Sequence, residues 1–370
     1  MTRSTGATAW KAAKYGGIGL LITLSLFLSV AGWLSLPTKT PPITGTSGAI
    51  QANSIAEEER VMINGLSQWT LTRGYNRDAP ILLVLHGGPG AGEFAWFRAY
   101  NSELERTFVV VHWDQRGAGK SFDPATPANT MTFENIVQDV DAMVDHLRIK
   151  FGRERIAILA HSWGTLLGTT YIARHPEKIS GYIGTGQIAD MRANEAASYD
   201  FTLSEAHRLS NKAAIDALTG IGRPPYGVEA TLVQRKWLTH FGGGITRDGR
   251  SVAQLAWTAL SVPEFNLPDL IALARSALFS MDHLWSEIGS LNLDQTYTRF
   301  EVPVFFLLGR FDQQTPSSLA AAYFEVLQAP DKALIYFEAS AHSPPWEEPA
   351  RFAEIMTRTV KPRLLPDGEK

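Results

Sequence analysis

The chain of 370 residues contains no cysteine, and neither sign of charge dominates: 34 lysines and arginines face 37 aspartates and glutamates, a net charge of −3. The absence of cysteine excludes disulfide bonds, thiolate metal ligands and a cysteine nucleophile. Without a basic surface, we expect no nucleic-acid partner. The composition, 45% hydrophobic and 19% charged, excludes both a disordered chain and a multi-span membrane protein.

One long hydrophobic run is present near the start. Residues 16–36 carry no charged side chain and follow a short basic tail, residues 1–15. A helix of this length is about 30 Å long, enough to cross a bilayer. Because the cations precede the run, the sequence predicts a membrane anchor with the catalytic body outside the cytoplasm, periplasmic or extracellular. The alternative is a signal segment cleaved near residues 29–31, which would release a secreted protein.

The rest of the chain alternates between strand-like and helical patterns. Residues 37–56, rich in proline, threonine, glycine and serine, are predicted as a linker. An antiparallel hairpin around Asn64-Gly65 is expected next. Short apolar runs follow at residues 81–85, 108–112, 156–159, 179–183, 302–308 and 334–337, and a helical pattern begins after Thr132. These patterns predict an α/β fold with a mostly parallel, doubly wound sheet.

The alternation stops between residues 189 and 299. This region lacks strand-like runs, is rich in helix formers and aromatic residues, and is interrupted at residues 222–225 and 242–244. It is predicted to be a helical cap over the carboxyl edge of the sheet. The core is then formed by residues 57–188 and 300–370.

Ser162 lies where a predicted strand turns into a predicted helix, in the sequence Ala-His-Ser-Trp-Gly of residues 160–164. A serine at such a turn projects above the sheet as a nucleophile. Ala160 departs from the usual G-x-S-x-G pattern. The alternative role for Ser162 is a helix N-cap.

A second turn, residues 86–90 (His-Gly-Gly-Pro-Gly), follows the strand at 81–85. Its backbone N–H groups and that of Trp163 are placed to form an oxyanion hole. A dinucleotide-binding loop fits less well, because the glycine spacing differs and Pro89 has no N–H.

A general base and an acid are expected after the serine, in the order Ser, Asp, His. His342 follows the strand at 334–337, and Asp312 follows the strand at 302–308. Both therefore lie at the carboxyl edge of the sheet, where open α/β sheets place their sites. The alternatives are a loop histidine and a capping aspartate.

Together these motifs resemble the α/β-hydrolase superfamily, and within it the proline iminopeptidase (prolyl aminopeptidase) group of peptidase family S33. The matching stretches are residues 86–90, 114–121, 161–164, 309–312 and 341–343. The resemblance implies the α/β-hydrolase fold, with the N–H groups of Gly88 and Trp163 as oxyanion donors. It also implies cap carboxylates that hold a substrate's free amino group, with Glu195, Asp200, Glu205 and Glu229 as candidates.

The sequence thus predicts a serine hydrolase that uses a Ser162-His342-Asp312 triad and needs no metal or cofactor. The favoured substrates are N-terminal aminoacyl amides or short peptides. An esterase or amidase acting on another small acyl compound is the alternative. A non-catalytic, membrane-tethered binding protein is the third interpretation, because a fold does not guarantee activity. The sequence does not indicate the oligomeric state.

Overall fold

A computed structural model of the protein describes Ser29, Gly32 and residues 34–366. The predicted basic tail and most of the predicted anchor lie outside the described residues. None of the described helices is both long and apolar enough to cross a membrane.

The core is an eight-stranded sheet in the order β1-β2-β4-β3-β5-β6-β7-β8. Strand β2 pairs antiparallel with β1 and β4, and the remaining neighbours are parallel, so the predicted fold class is confirmed. The predicted hairpin also forms, because Asn64 (φ 46°) and Gly65 (φ 82°) adopt the left-handed turn conformation. The strands are β1 Ile55–Ile63, β2 Leu66–Gly74, β3 Ile81–Leu85, β4 Val109–Trp113, β5 Ile156–His161, β6 Ile179–Thr185, β7 Val304–Gly309 and β8 Lys332–Phe337.

Helices cover both faces of the sheet. In the longest helix of the core, the Thr132 side chain accepts the N–H of Asn135, which confirms the predicted N-cap. Within residues 34–366 the α-helices are α1 Phe94–Asn101, α2 Phe133–Phe151, α3 Trp163–Arg174, α4 Met191–Arg208, α5 Lys212–Ile221, α6 Val228–His240, α7 Val252–Leu260, α8 Leu267–Ile288, α9 Leu293–Thr296, α10 Ser317–Val326, α11 Pro344–Glu347 and α12 Pro349–Ile355.

Helices α4 to α9 form one helical segment between β6 and β7. The two ends of this segment are joined by backbone hydrogen bonds, from Met191 N to Leu291 O (3.0 Å) and from Leu293 N to Ala189 O (2.7 Å). The predicted cap, residues 189–299, encloses these helices. Because both ends return to one point, the segment is a single insertion between β6 and β7.

Residues 34–43, named the N-terminal strap here, fall largely within the predicted linker but lie against the body. Leu34 O accepts the N–H of Leu267 at the start of α8 (2.8 Å). Thr40 is buried, and its hydroxyl donates to Glu264 (2.8 Å). Ile43 is only 3% exposed. The proline and threonine content predicts a solvated linker. In the structure, the buried side chains of Thr40 and Ile43 hold the segment against the body instead.

Candidate active site

Ser162 occupies a strained turn between β5 and α3. Its backbone has φ 53° and ψ −120°, in the left-handed region that only local packing maintains. Gly164 allows the turn, because a Cβ there would collide with the carbonyl oxygen of Leu85. Gly168 leaves room for the unusual Ala160, since a Cβ on Gly168 would lie 3.2 Å from the methyl carbon of Ala160. The serine is thus held at the carboxyl edge of the sheet despite the departure from the usual motif.

His342 and Asp312 meet after neighbouring parallel strands. The Nδ1–H of His342 donates to Asp312 Oδ2 at 2.9 Å, and both side chains are buried. Asp312 Oδ1 accepts the N–H groups of Gln314 (2.9 Å) and Thr315 (3.0 Å), and Oδ2 accepts the Thr315 hydroxyl (2.9 Å). These donors fix the carboxylate. The imidazole then presents Nε2 on its other side, and this buried nitrogen has no hydrogen-bond partner in the described structure.

The glycine-rich turn after β3 lies against the serine. Gly88 lines the same cavity as Ser162 and Trp163. A Cβ on Gly87 would come within 3.3 Å of the Ser162 Cβ, so the turn approaches closely because it lacks side chains. Helix α8 holds the turn from above, since the Ser276 hydroxyl donates to Gly90 O at 2.9 Å.

Glu93 and His161 form a buried pair behind these groups. Glu93 Oε1 lies 2.8 Å from His161 Nδ1, and Glu93 Oε2 accepts the N–H of Gly87 at 2.9 Å. The Nε2–H of His161 donates to the backbone carbonyl of His342 at 3.0 Å. Sequence reasoning missed both residues. His161 directly precedes the serine, but its distant partner Glu93 leaves no sequence signal.

Asp114 is buried below the glycine-rich turn. Its carboxylate accepts the N–H of Lys120 at 2.7 Å, and a Cβ on Gly92 or Gly119 would collide with it. Burial is the largest influence and raises the pKa of Asp114 to about 7. The residue therefore shapes the loops around the site from inside.

Glu347, at the end of α11, binds the backbone of the loop that carries His342. One carboxylate oxygen accepts the N–H groups of Ala341 (2.9 Å) and Ser343 (3.1 Å), the two neighbours of His342. The other oxygen accepts the N–H of Arg247 from the helical segment. Burial raises the pKa of Glu347 to about 7.

A cavity of about 230 Å³ adjoins Ser162 and has a mainly apolar lining. Its polar residues include Asn194, Glu195 and Arg235. Arg235 pairs with Glu195 through Oε1, while Glu195 Oε2 and both side-chain polar atoms of Asn194 are buried with no hydrogen-bond partner in the described structure. A second cavity of about 930 Å³ shares four lining residues with the first: Met191, Glu195, Met281 and Trp285.

The four predicted cap carboxylates have different positions. Asp200 forms an ion pair on the surface. Glu195 lines the cavity beside Ser162. Glu205 pairs with Arg208 and lines a separate surface pocket. Glu229 is exposed, and neither cavity near Ser162 includes it. Of these four, the structure therefore brings only Glu195 to the cavity beside the serine. Among residues 34–366 and the two described residues before them, no group of three or more His, Cys, Asp or Glu is placed to hold a metal ion.

Comparison with known proteins agrees with this architecture. The model of the α/β hydrolase fold family matches residues 80–207. The chain is 29% identical over 316 residues to the probable aminopeptidase YbaC of Bacillus subtilis, covering 85% of this chain and 99% of that protein. It is 33% identical over 114 residues to the probable proline iminopeptidase of Streptomyces coelicolor, covering 31% of this chain and 35% of that one. The crystal structure of a proline iminopeptidase from Mycobacterium smegmatis superposes with a TM-score of 0.61 at 18% identity, covering 83% of this chain and 98% of that chain.

The fold and the matched relatives indicate the class of protein: this chain has the α/β-hydrolase fold and is a hydrolytic enzyme. Within that class it resembles the proline iminopeptidases.

Proposed function

We propose that the protein is a serine hydrolase that releases N-terminal aminoacyl residues by cleaving their amide bonds. The observation that carries this proposal is the imidazole of His342, held by Asp312 at Nδ1 and free of protein partners at Nε2, at the sheet edge that also carries Ser162. This is the arrangement a general base needs beside a serine nucleophile.

In the proposed mechanism, Ser162 Oγ attacks the substrate carbonyl while His342 Nε2 takes its proton. His342 then returns the proton to the leaving amine, and a water molecule repeats the sequence to release the acid. Asp312 orients the imidazole and stabilises its charged form. The N–H groups of Gly88 and Trp163 donate to the oxyanion, and losing one such donor typically costs about 3 kcal/mol of transition-state stabilisation.

Glu195 supports the choice of a substrate with a free amino group. Glu195 lines the cavity, and its buried Oε2 has no hydrogen-bond partner in the described structure. A buried carboxylate oxygen without a donor is costly, and a substrate ammonium group would satisfy it. We propose that residues 189–299 act as the cap that carries this contact.

An esterase or amidase acting on another small acyl compound is the second candidate. The observation that favours it is Arg235, whose guanidinium already pairs with Glu195. Since this pairing offsets the carboxylate charge, the mainly apolar cavity suits an uncharged acyl group.

The test compares proline, alanine and leucine arylamides, with free and acetylated amino groups, alongside simple acyl esters. Serine-dependent cleavage of the free amines alone, weakened in Glu195→Gln and unchanged in Glu205→Gln, supports the aminopeptidase. Equal cleavage of the free and the acetylated arylamides favours the second candidate. If a fluorophosphonate labels folded wild-type protein no better than Ser162→Ala, the protein is a non-catalytic binding module instead.

We also propose that residues 16–36 anchor the protein with its catalytic body outside the cytoplasm. The proposal rests on the charge-free run and the cations before it. Membrane fractionation of the full chain, with sequencing of its amino terminus, tests it. An intact chain in the membrane fraction supports the anchor, whereas a shortened soluble chain supports signal cleavage.

A further inference from the structure

The buried pair Glu93 and His161 takes no part in the steps proposed above, yet it contacts the backbone on both sides of the serine. Glu93 binds the N–H of Gly87, directly before the proposed oxyanion donor Gly88. His161 binds the carbonyl of His342, the proposed base. The two ends are joined by the 2.8 Å contact between the carboxylate and the imidazole.

The electrostatics of the pair favour its charged form although it is buried. A carbonyl oxygen only accepts hydrogen bonds, so the Nε2 of His161 that contacts it must carry a proton. Burial opposes ionisation of both side chains, but their mutual attraction prevails, because the pKa of His161 is raised and that of Glu93 is lowered. Glu93 is 6% and His161 3% exposed. Water therefore screens this attraction little.

The surroundings leave little freedom for either side chain. A Cβ on Gly87 would come within 2.7 Å of Glu93 Oε1 and 3.3 Å of His161 Nδ1, so the turn lies directly on the pair. On its other side the His161 ring contacts the His342 ring, with centroids 4.8 Å apart, and the Trp346 ring at 5.5 Å.

We propose that Glu93 is a positioning residue, which acts through His161 to fix the oxyanion turn relative to the backbone of His342. The inference rests on the proposed function, since it assumes that Gly88 and His342 act on one reacting group. Displacements of about 1 Å between such groups cost about 10²-fold in rate. A pair that bridges both loops limits that displacement. The competing interpretation is an ion pair that only stabilises the fold.

The test measures inactivation by a fluorophosphonate, resolved into the rate constant at saturation and the half-saturating concentration. Glu93→Ala should lower the rate constant about 10²-fold without changing the half-saturating concentration. Glu93→Gln serves as the matched conservative variant. The glutamine carbonyl can accept the N–H of Gly87, and its amide can donate to a neutral His161. Because both bridging hydrogen bonds are retained, the rate constant of this variant should stay within about 3-fold of the wild-type value. In the double variant that combines His161→Ala with Glu93→Ala, the rate constant should fall no further than in Glu93→Ala alone.

A wild-type rate in Glu93→Ala, or additive losses in the double variant, would overturn the inference. If the alanine variant does not fold, Glu93→Asp replaces it. This variant keeps the charge but shortens the reach, so its rate constant should fall at least about 10-fold below that of Glu93→Gln. Equal rate constants for these two variants would overturn the inference as well. Failure of folded wild-type protein to react would instead refute the proposed function.

Discussion

Gly186 lies directly against the imidazole of His342. A Cβ on Gly186 would be 2.7 Å from Cε1 and 3.0 Å from Nδ1 of that ring, and the glycine has φ 54°. The residue follows β6, whereas His342 follows β8. The imidazole is therefore bounded by the backbone of Gly186 on one side and by Asp312 at Nδ1.

Gly186→Ala should consequently displace the imidazole. We expect the rate of fluorophosphonate labelling to fall about 10- to 100-fold, because the proton acceptor moves away from Ser162. Gly220→Ala is the matched control, since nothing lies within 4 Å of a Cβ at that position. Equal labelling of the two variants would contradict the packing role of Gly186.

Asp312→Asn should lower kcat by about 10⁴-fold with little change in KM. The amide group would face Nδ1 of His342 and favour the tautomer that cannot accept the serine proton. Asp200→Asn is the control, because Asp200 pairs with Arg223 on the surface. Steady-state kinetics measure kcat and KM on the substrate of the panel that the wild type cleaves best. A loss in kcat of less than about tenfold would exclude Asp312 from the proposed triad.

Asp114→Asn should alter how stability depends on pH. The Asp114 carboxyl has a pKa of about 7 in the folded state against an ordinary value of 3.8, so between these pH values the folded state binds a proton that the unfolded state lacks. The wild-type free energy of unfolding should then fall as pH rises through this range, with a contribution up to about 1.4 kcal/mol per pH unit. Urea unfolding across the range should show a shallower slope in the variant. The raised pKa of Glu347 still contributes to the pH dependence of stability in the variant. The slope is therefore reduced rather than abolished. An unchanged slope would contradict the burial argument.

Removal of the N-terminal strap should destabilise the body. A chain starting at residue 44 loses the buried Ile43 and leaves Glu264, which is fully buried, without the Thr40 hydroxyl. We expect Tm to fall by about 5 °C or more relative to a chain starting at residue 34. Differential scanning calorimetry of the two chains makes the comparison. Equal Tm values would show that residues 34–43 add no stability and behave as a linker.

The sequence predicts the fold class, and it predicts that Ser162, Asp312 and His342 follow strands of the sheet. Each follows a buried apolar run, and parallel strands bring such ends to one edge. The start of β7 was placed two residues early, at Val302 instead of Val304, because apolar character continues across Pro303 although proline has no N–H for the ladder.

Contacts between distant segments could not be predicted in this way. Glu195 and Glu205 lie on the same helix, but only the docking of α4 on the core decides that Glu195 faces the cavity. Glu93 and Glu347 likewise acquire their roles from backbone N–H groups that the fold brings to them. A carboxylate of this kind has no characteristic neighbours in the sequence.

Helix α8 connects three parts of the molecule that lie far apart in the sequence. Its first residue bonds to the N-terminal strap, Ser276 and Ser280 hold Gly90 and Gly117, and Met281 and Trp285 line the cavity. Efforts to redesign substrate preference by enlarging this wall will therefore change turnover along with selectivity. Libraries built on α8 need selection for both properties at once.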